Sequence, residues 1–141
     1  MTTVAADHGA GLMVSDSKCT SGDVWTPTRK VWRHNGELIG VAGELHQALR
    51  FVRWYTSGRK GPFPGKSGDF EAMILRPDGL YHVFDNGLEL KEERGFFAIG
   101  SGQKAALAIL VAGLGAEKAV EIACQVDVGS GGDLQVFRLH D

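Results

Sequence analysis

Apolar positions along the chain switch between a period of two and a period near 3.6, and the switches divide it into strand groups and helices. Thr3 to Ala6 is a β-prone run that ends at the polar turn Asp7-His8-Gly9. Gly11-Leu12-Met13-Val14 is a second short run and leads into Ser15-Asp16-Ser17. Lys30 to Arg33 and Leu38 to Ala42 flank Asn35-Gly36, and an Asn-Gly pair between β-prone runs predicts a hairpin. From Glu44 to Tyr55 the period lengthens. Leu45, Ala48, Leu49 and Val52 recur at i, i+3, i+4 and i+7, one apolar stripe of an amphipathic helix. Gly58 to Gly68 breaks the pattern with glycines, prolines and basic residues, and reads as a solvated loop. Phe70 to Leu75 and Leu80 to Phe84 flank the turn Arg76-Pro77-Asp78-Gly79. Asp85-Asn86-Gly87 is a further turn, and Phe96 to Ile99 a short apolar strand. Gln103 to Ala112 and Ala116 to Val126 are helical, divided by Gly113-Leu114-Gly115. In the second of these, Ala119, Ile122, Ala123 and Val126 share a face. Leu134 to Leu139 is a last strand.

The order is strands, helix, strands, two helices, strand. It predicts a layered α+β domain rather than a βαβ parallel sheet. At 141 residues one domain spanning 1–141 is expected, with no internal repeat. The formal net charge of −2 argues against nucleic acid or an anionic membrane as main partner, since both select a basic face. The 20 glycines are roughly twice what a usual share of about 7% gives, and they gather at turns and strand-to-helix junctions. The two cysteines, Cys19 and Cys124, have no zinc-type spacing and are read as free thiols of a reducing compartment. No basic segment followed by a long apolar run opens the chain, and no stretch approaches a membrane span, so a cytoplasmic location is expected.

Several motifs fail on their own terms. Gly61-Pro62-Phe63-Pro64-Gly65-Lys66-Ser67 suggests a phosphate-binding loop, but the position that needs the first glycine is Lys60, and two prolines remove backbone donors. Gly100-Ser101-Gly102-Gln103-Lys104-Ala105 opens a helix after a strand, without the parallel strand and ribose-binding acid of a dinucleotide site. The histidines His8, His34, His46, His82 and His140 show no paired metal spacing, and no nucleophile elbow is present. Neither a metal nor a cofactor is expected.

What remains is a set of polar residues at strand ends. A strand beginning at Thr2-Thr3 is unusual, because chain ends are ordinarily poorly ordered. Threonine behind an initiator methionine is small enough for Met1 to be trimmed. Trimming unites a hydroxyl and an α-amine on one residue. The amine has a reference pKa of about 7.7–8.0 and is partly unprotonated near neutrality, so it can act as base for its own hydroxyl. Lys30 is flanked by Val31 and Trp32, which suggests a partly buried position, and a buried lysine needs a paired acid or a role. Asp16, Ser101 and Ser130 also read as ordinary turn residues, and Gly43 as an ordinary glycine before a helix.

Compared string by string, the chain resembles the proteasome β-subunit/HslV family of N-terminal nucleophile (Ntn) hydrolases. Thr2-Thr3-Val4-Ala5-Ala6 is similar to the mature start of these proteins. Val14 to Gly22 resembles their AADSRATAG string, and Arg29-Lys30-Val31 their lysine strand. Val41-Ala42-Gly43 before a helix resembles the AGG turn, Ala98 to Gly102 the AIGSG string of HslV, and Asp127 to Gly132 the DxxSGG string. The resemblance implies a four-layer αββα sandwich and a threonine-type endopeptidase working through an acyl-enzyme, without metal or cofactor. It implies Thr2 as nucleophile and base, Lys30 beside it, Asp16 holding Lys30, the Gly43 N–H for the oxyanion, and Ser101, Asp127 and Ser130 around the Thr2 amine. Peptides or unfolded proteins are the implied substrates, a homo-oligomer the implied assembly, and an ATPase unfoldase a possible partner. The family carries two long helices after the AGG turn. Here only Glu44 to Tyr55 is helical, so a shortened helical layer and an assembly unlike the HslV double ring are expected. A catalytically inactive Ntn-fold binding or assembly protein is the other reading.

Overall fold

The protein, seen in a computed structural model, is described over residues 2–64 and 69–140. Met1, the Gly65-Lys66-Ser67 part of the rejected phosphate-loop motif and the last residues of the expected Gly58–Gly68 loop lie outside the described residues. The elements are β1 (Thr3–Asp7), β2 (Leu12–Ser15), β3 (Lys18–Ser21), β4 (Val24–Pro27), β5 (Val31–His34), β6 (Glu37–Gly43), α1 (Leu45–Thr56), β7 (Phe70–Arg76), β8 (Gly79–Val83), β9 (Glu89–Lys91), β10 (Phe96–Gly100), α2 (Gln103–Val111), α3 (Gly115–Val126) and β11 (Gln135–Arg138).

Two antiparallel sheets face each other, ordered β10-β1-β2-β11 and β5-β6-β7-β8-β9, with β3-β4 as a separate ribbon. The alternation of side chains along each strand builds the layers. Val4, Ala6 and Met13 of the first sheet meet Leu38, Met73 and Leu75 of the second in the inter-sheet core. Between them, Ala5 and Val14 point the other way, onto Ala106, Ala119 and Ala123 of α2 and α3. Ile39, Val41 and Ile74 likewise turn outward beneath Ala48, Phe51 and Val52 of α1. The result is the expected αββα sandwich with one helix on one side and two on the other.

The predicted turns form for the predicted reasons. His34 pairs with Glu37 across a two-residue loop whose Asn35 and Gly36 have φ +49° and +75°, the left-handed pair that suits a twisted hairpin. Helix faces differ from the sequence reading. The buried stripe of α1 is Ala48, Phe51, Val52 and Tyr55, and Leu49 is 40% exposed. In α3 the buried residues are Ala116, Ala119, Val120 and Ala123, while Val126 is 66% exposed. Both periods are right and both phases are off by part of a turn, because aromatic Phe51 and small alanines decide which side fits against a sheet. Glu44 caps α1 rather than opening it, since its N–H is drawn to the Asp69 carbonyl at 2.9 Å.

Among the described residues no helix lies between α1 and β7, in line with the shortened layer. The loop after α1 is not wholly solvated. Phe63 packs edge-on against Trp54 at 5.2 Å and lies 5.9 Å from Phe51 and 6.1 Å from Phe70, covering an apolar face that a single helix leaves open. At the far end of α1, Arg76 bridges Glu37 (2.9 Å) and Glu89 (2.6 Å), and Tyr55 donates to Glu37 at 2.5 Å.

Gly40 sets how closely the sheets approach. A Cβ there would sit 2.8 Å from Met13 Sδ and 2.9 Å from Val4 Cγ1, both fully buried. Gly40→Ala is therefore expected to destabilise by about 1–3 kcal/mol, the usual range for overpacking a dense core. Urea denaturation checks this, and unchanged stability would show that the inter-sheet layer has slack.

Candidate active site

The end of the sandwich where β1 begins and β6 ends gathers the polar residues of the strand termini. Asp16 follows β2 and is fully buried, and Lys30 precedes β5 with a side chain only 4% exposed. Their ion pair is 2.8 Å long. Lys30 Nζ also donates to the Lys18 carbonyl at 2.6 Å. Asp16 Oδ1 accepts the Thr3 N–H at 3.0 Å, and Oδ2 accepts those of Gly131 (3.0 Å) and Lys18 (3.3 Å). A carboxylate with this many charge-assisted donors is well compensated for its burial.

A second chain of hydrogen bonds reaches Thr2 from the other side. The Thr2 nitrogen donates to Ser101 Oγ at 3.1 Å, Ser101 donates to Asp127 Oδ2 at 2.5 Å, and Ser130 donates to the same oxygen at 2.6 Å. Ser130 Oγ lies 2.7 Å from Thr3 Oγ1. Burial raises the Asp127 pKa, but the bonds from Ser101, Ser130 and the Gly129 N–H outweigh it and hold the carboxyl below its ordinary value. An ionised Asp127 only accepts, so both serines spend their protons on it. Ser101 is then left as acceptor toward Thr2, and Thr3 as donor toward Ser130.

Glycines let the backbone close on this point. Gly100 has φ +100°, and a Cβ on it would lie 2.0 Å from the Thr2 carbonyl oxygen. A Cβ on Gly102 would lie 2.0 Å from Thr3 Oγ1. Gly43 has φ +101°, and its missing Cβ leaves room for the Phe70 backbone at 2.7 Å. Thr2, Lys30 and Gly43 all line one cleft of about 120 Å³, so strand ends from both sheets converge there.

All seven residues singled out in the sequence (Thr2, Asp16, Lys30, Gly43, Ser101, Asp127 and Ser130) thus sit in one connected region. Sequence reasoning missed Thr3, Lys18 and Gly131, which bond to Asp16 or Ser130, and Cys19, Thr20 and Thr28, which line the cleft. Lys18, Cys19 and Thr20 stand inside the string that resembles the family, which was the available signal; Thr28 carries none. Among the described residues no cluster of His, Cys, Asp or Glu is arranged to hold a metal, and no helix is long and apolar enough to cross a membrane.

No protein-family model matches the chain, and no curated protein matches it by sequence. Solved structures match it closely in shape. Thiobacillus denitrificans BPH in complex with epoxomicin superposes with a TM-score of 0.75 at 16% identity, over 99% of this chain and 100% of that one. A second structure of Thiobacillus denitrificans BPH gives 0.72 at 19% identity, over 96% of each chain. Eukaryotic HslV from Trypanosoma brucei gives 0.70 at 20% identity, over 97% of this chain and 99% of that one. The chain has the fold of these proteins from end to end.

The depressed Asp127 pKa has a definite sign in stability. An acid whose folded pKa is lowered stabilises above its unfolded pKa, about 3.9 for Asp, and that contribution is lost as pH falls through the folded value. Relative to Asp127→Asn, wild type is expected to hold a constant advantage above roughly pH 5 that shrinks below pH ~4. Thermal melts across that range check it; an advantage that grows on acidification contradicts it.

Proposed function

We propose that the chain is a threonine-type peptidase of the proteasome β-subunit/HslV kind, an Ntn hydrolase that becomes active when Met1 is removed. The observation that carries this reading is the meeting of Thr2, Lys30 and Gly43 on one cleft, with Lys30 anchored on buried Asp16. A lysine and a carboxylate buried together at a strand end are costly to retain for structure alone, because such pairs seldom stabilise a fold more than apolar residues do.

In the proposed mechanism the Thr2 hydroxyl attacks the peptide carbonyl and its proton passes to the Thr2 α-amine. The Lys30 charge favours the neutral amine and eases ionisation of the hydroxyl. Ser101, accepting from the Thr2 nitrogen, turns the amine so that its lone pair is free to take that proton. The Gly43 N–H stabilises the oxyanion, and collapse expels the amine half of the substrate with the proton it needs. Water then hydrolyses the Thr2 ester by the same route in reverse order. Substrates are peptides or unfolded chains, and the working form is a homo-oligomer, with an ATPase unfoldase as a candidate supplier. Support comes from a whole-chain likeness of fold to HslV and to a BPH seen with epoxomicin bound.

Hydrolysis of fluorogenic peptides by four proteins tests this. Wild type is expected to be active, Thr2→Ser to retain part of the rate, and Thr2→Ala to have none. Lys30→Ala is expected to lose about 10²–10⁴-fold, the range that positioned proton-transfer groups supply. It should still give the folded circular dichroism spectrum at 25 °C, because three backbone N–H groups hold Asp16, while losing about 3–5 kcal/mol of stability to the unpaired carboxylate. Full activity in Thr2→Ala, or an inert wild type with Met1 removed, would turn the reading to a non-catalytic binding or assembly protein.

A further inference from the structure

The hydrogen bonds around Thr2 form a closed circuit. It leaves the Thr2 nitrogen and passes through Ser101 (3.1 Å), Asp127 (2.5 Å) and Ser130 (2.6 Å). It returns at 2.7 Å to the hydroxyl of Thr3, the next residue in the chain. The links differ in burial. Ser101 is exposed and Asp127 half-buried, so water competes for their bonds, whereas Thr3 and Ser130 are only 0% and 4% exposed. The buried end is therefore the one that holds its geometry. Because Ser130 spends its proton on Asp127, the Thr3 hydroxyl donates to Ser130 and keeps it from turning away from the carboxylate. Gly102 leaves that hydroxyl its place, since a Cβ there would lie 2.0 Å from Thr3 Oγ1. The Thr3 N–H donates to Asp16 Oδ1 at 3.0 Å, the oxygen that also takes Lys30 Nζ. Thr3 thus bonds to both networks, that of Asp16 with Lys30 and that of Asp127 with the two serines.

We infer, resting on the threonine-peptidase reading, that Thr3 is a positioning residue for the reaction: its hydroxyl, acting through Ser130 and Asp127, fixes Ser101 and with it the direction of the Thr2 amine. Neither Thr3 nor Ser101, Asp127 or Ser130 is among the residues that line the cleft, so the circuit acts on the amine and not on the substrate. Loss of the Thr3 hydroxyl leaves Ser130 Oγ buried without its donor and frees the serine to rotate. The carboxylate that orients Ser101 is then held less firmly. The amine meets the proton of its own hydroxyl from a wider spread of directions, which slows proton transfer and leaves substrate binding as it was. The signature is a fall in kcat at constant KM.

The test measures kcat and KM on a fluorogenic peptide for wild type, Thr3→Val, Thr3→Ser, Ser130→Ala and the double variant Thr3→Val/Ser130→Ala, each with Met1 removal verified by intact mass. Thr3→Val keeps the shape and loses the hydroxyl. It is expected to lose about tenfold to a hundredfold in kcat, with KM within about twofold of wild type. Thr3→Ser keeps the hydroxyl and is expected to stay within about threefold of wild type in kcat. In the Ser130→Ala background, Thr3→Val is expected to cost no more than about twofold further, because the group through which it acts is gone. Thr3→Ala removes the hydroxyl without setting a methyl against Ser130, and gives the same comparison where Thr3→Val does not fold. Unchanged kcat on loss of the hydroxyl, an equal loss in Thr3→Ser, or losses that multiply in the double variant overturn the inference while leaving the peptidase standing. Failure of wild type to cleave after Met1 removal overturns both.

Discussion

The buried Asp16–Lys30 pair is the constraint on which the rest of the candidate site depends. Moving either charge alone into the interior costs several kcal/mol, and a lone buried partner is a strongly destabilising defect. Asp16 meets that cost by gathering Lys30 Nζ and the N–H groups of Thr3, Lys18 and Gly131. Those groups belong to β1, β3, the loop after α3 and the segment before β5. One carboxylate therefore fixes the mutual placement of four stretches of chain that are distant in sequence. It does so at the point where Thr2 enters β1.

The sandwich supplies what a single sheet lacks. Thr2 precedes the first sheet's β1, whereas Lys30 immediately precedes β5 and Gly43 ends β6 of the second. Only face-to-face packing brings them to one cleft, and it works because small residues allow close approach. Gly40 admits Met13 and Val4 between the sheets, and Gly100 and Gly102 admit the Thr2 and Thr3 backbone and hydroxyl. The hydrogen-bond chain through Ser101 and Asp127 then orients Thr2 from the helical side, so the residue is held from both layers.

Much of the fold was legible because hydrophobic period and turn chemistry agreed. The three helices, the Asn35-Gly36 hairpin and the Pro77-Asp78 hairpin all follow from local signals. β3 and β4 were not seen, because they form a ribbon exposed along most of its length and so carry no apolar alternation. β9 spans three residues at a sheet edge, too short for any period. Helix phase was lost for a related reason: periodicity gives a stripe, while the packing partner decides which side of it is buried. The seven site residues were legible only through ordered similarity of short strings. Their convergence is a property of long-range pairing, such as Thr3 with Ser130, that no local pattern encodes. Cleft residues outside those strings, Thr28 above all, had no signature.

Among the described residues a single helix, α1, lies over the second sheet, and other groups complete its cover. Phe63 and the aromatic cluster around Phe51 cover the exposed side, and the Arg76 network pins the end of α1. None of the hydrogen bonds that hold Thr2 and Asp16 comes from α1, so the candidate site does not depend on how much helix covers the second sheet. The most direct test of the central claim is the intact mass of the purified protein before and after incubation with a peptide epoxyketone. That reagent closes a ring using both a threonine hydroxyl and its free α-amine. The account predicts loss of one methionine followed by a single adduct that maps to Thr2. A protein that has lost Met1 and still takes no adduct would contradict it.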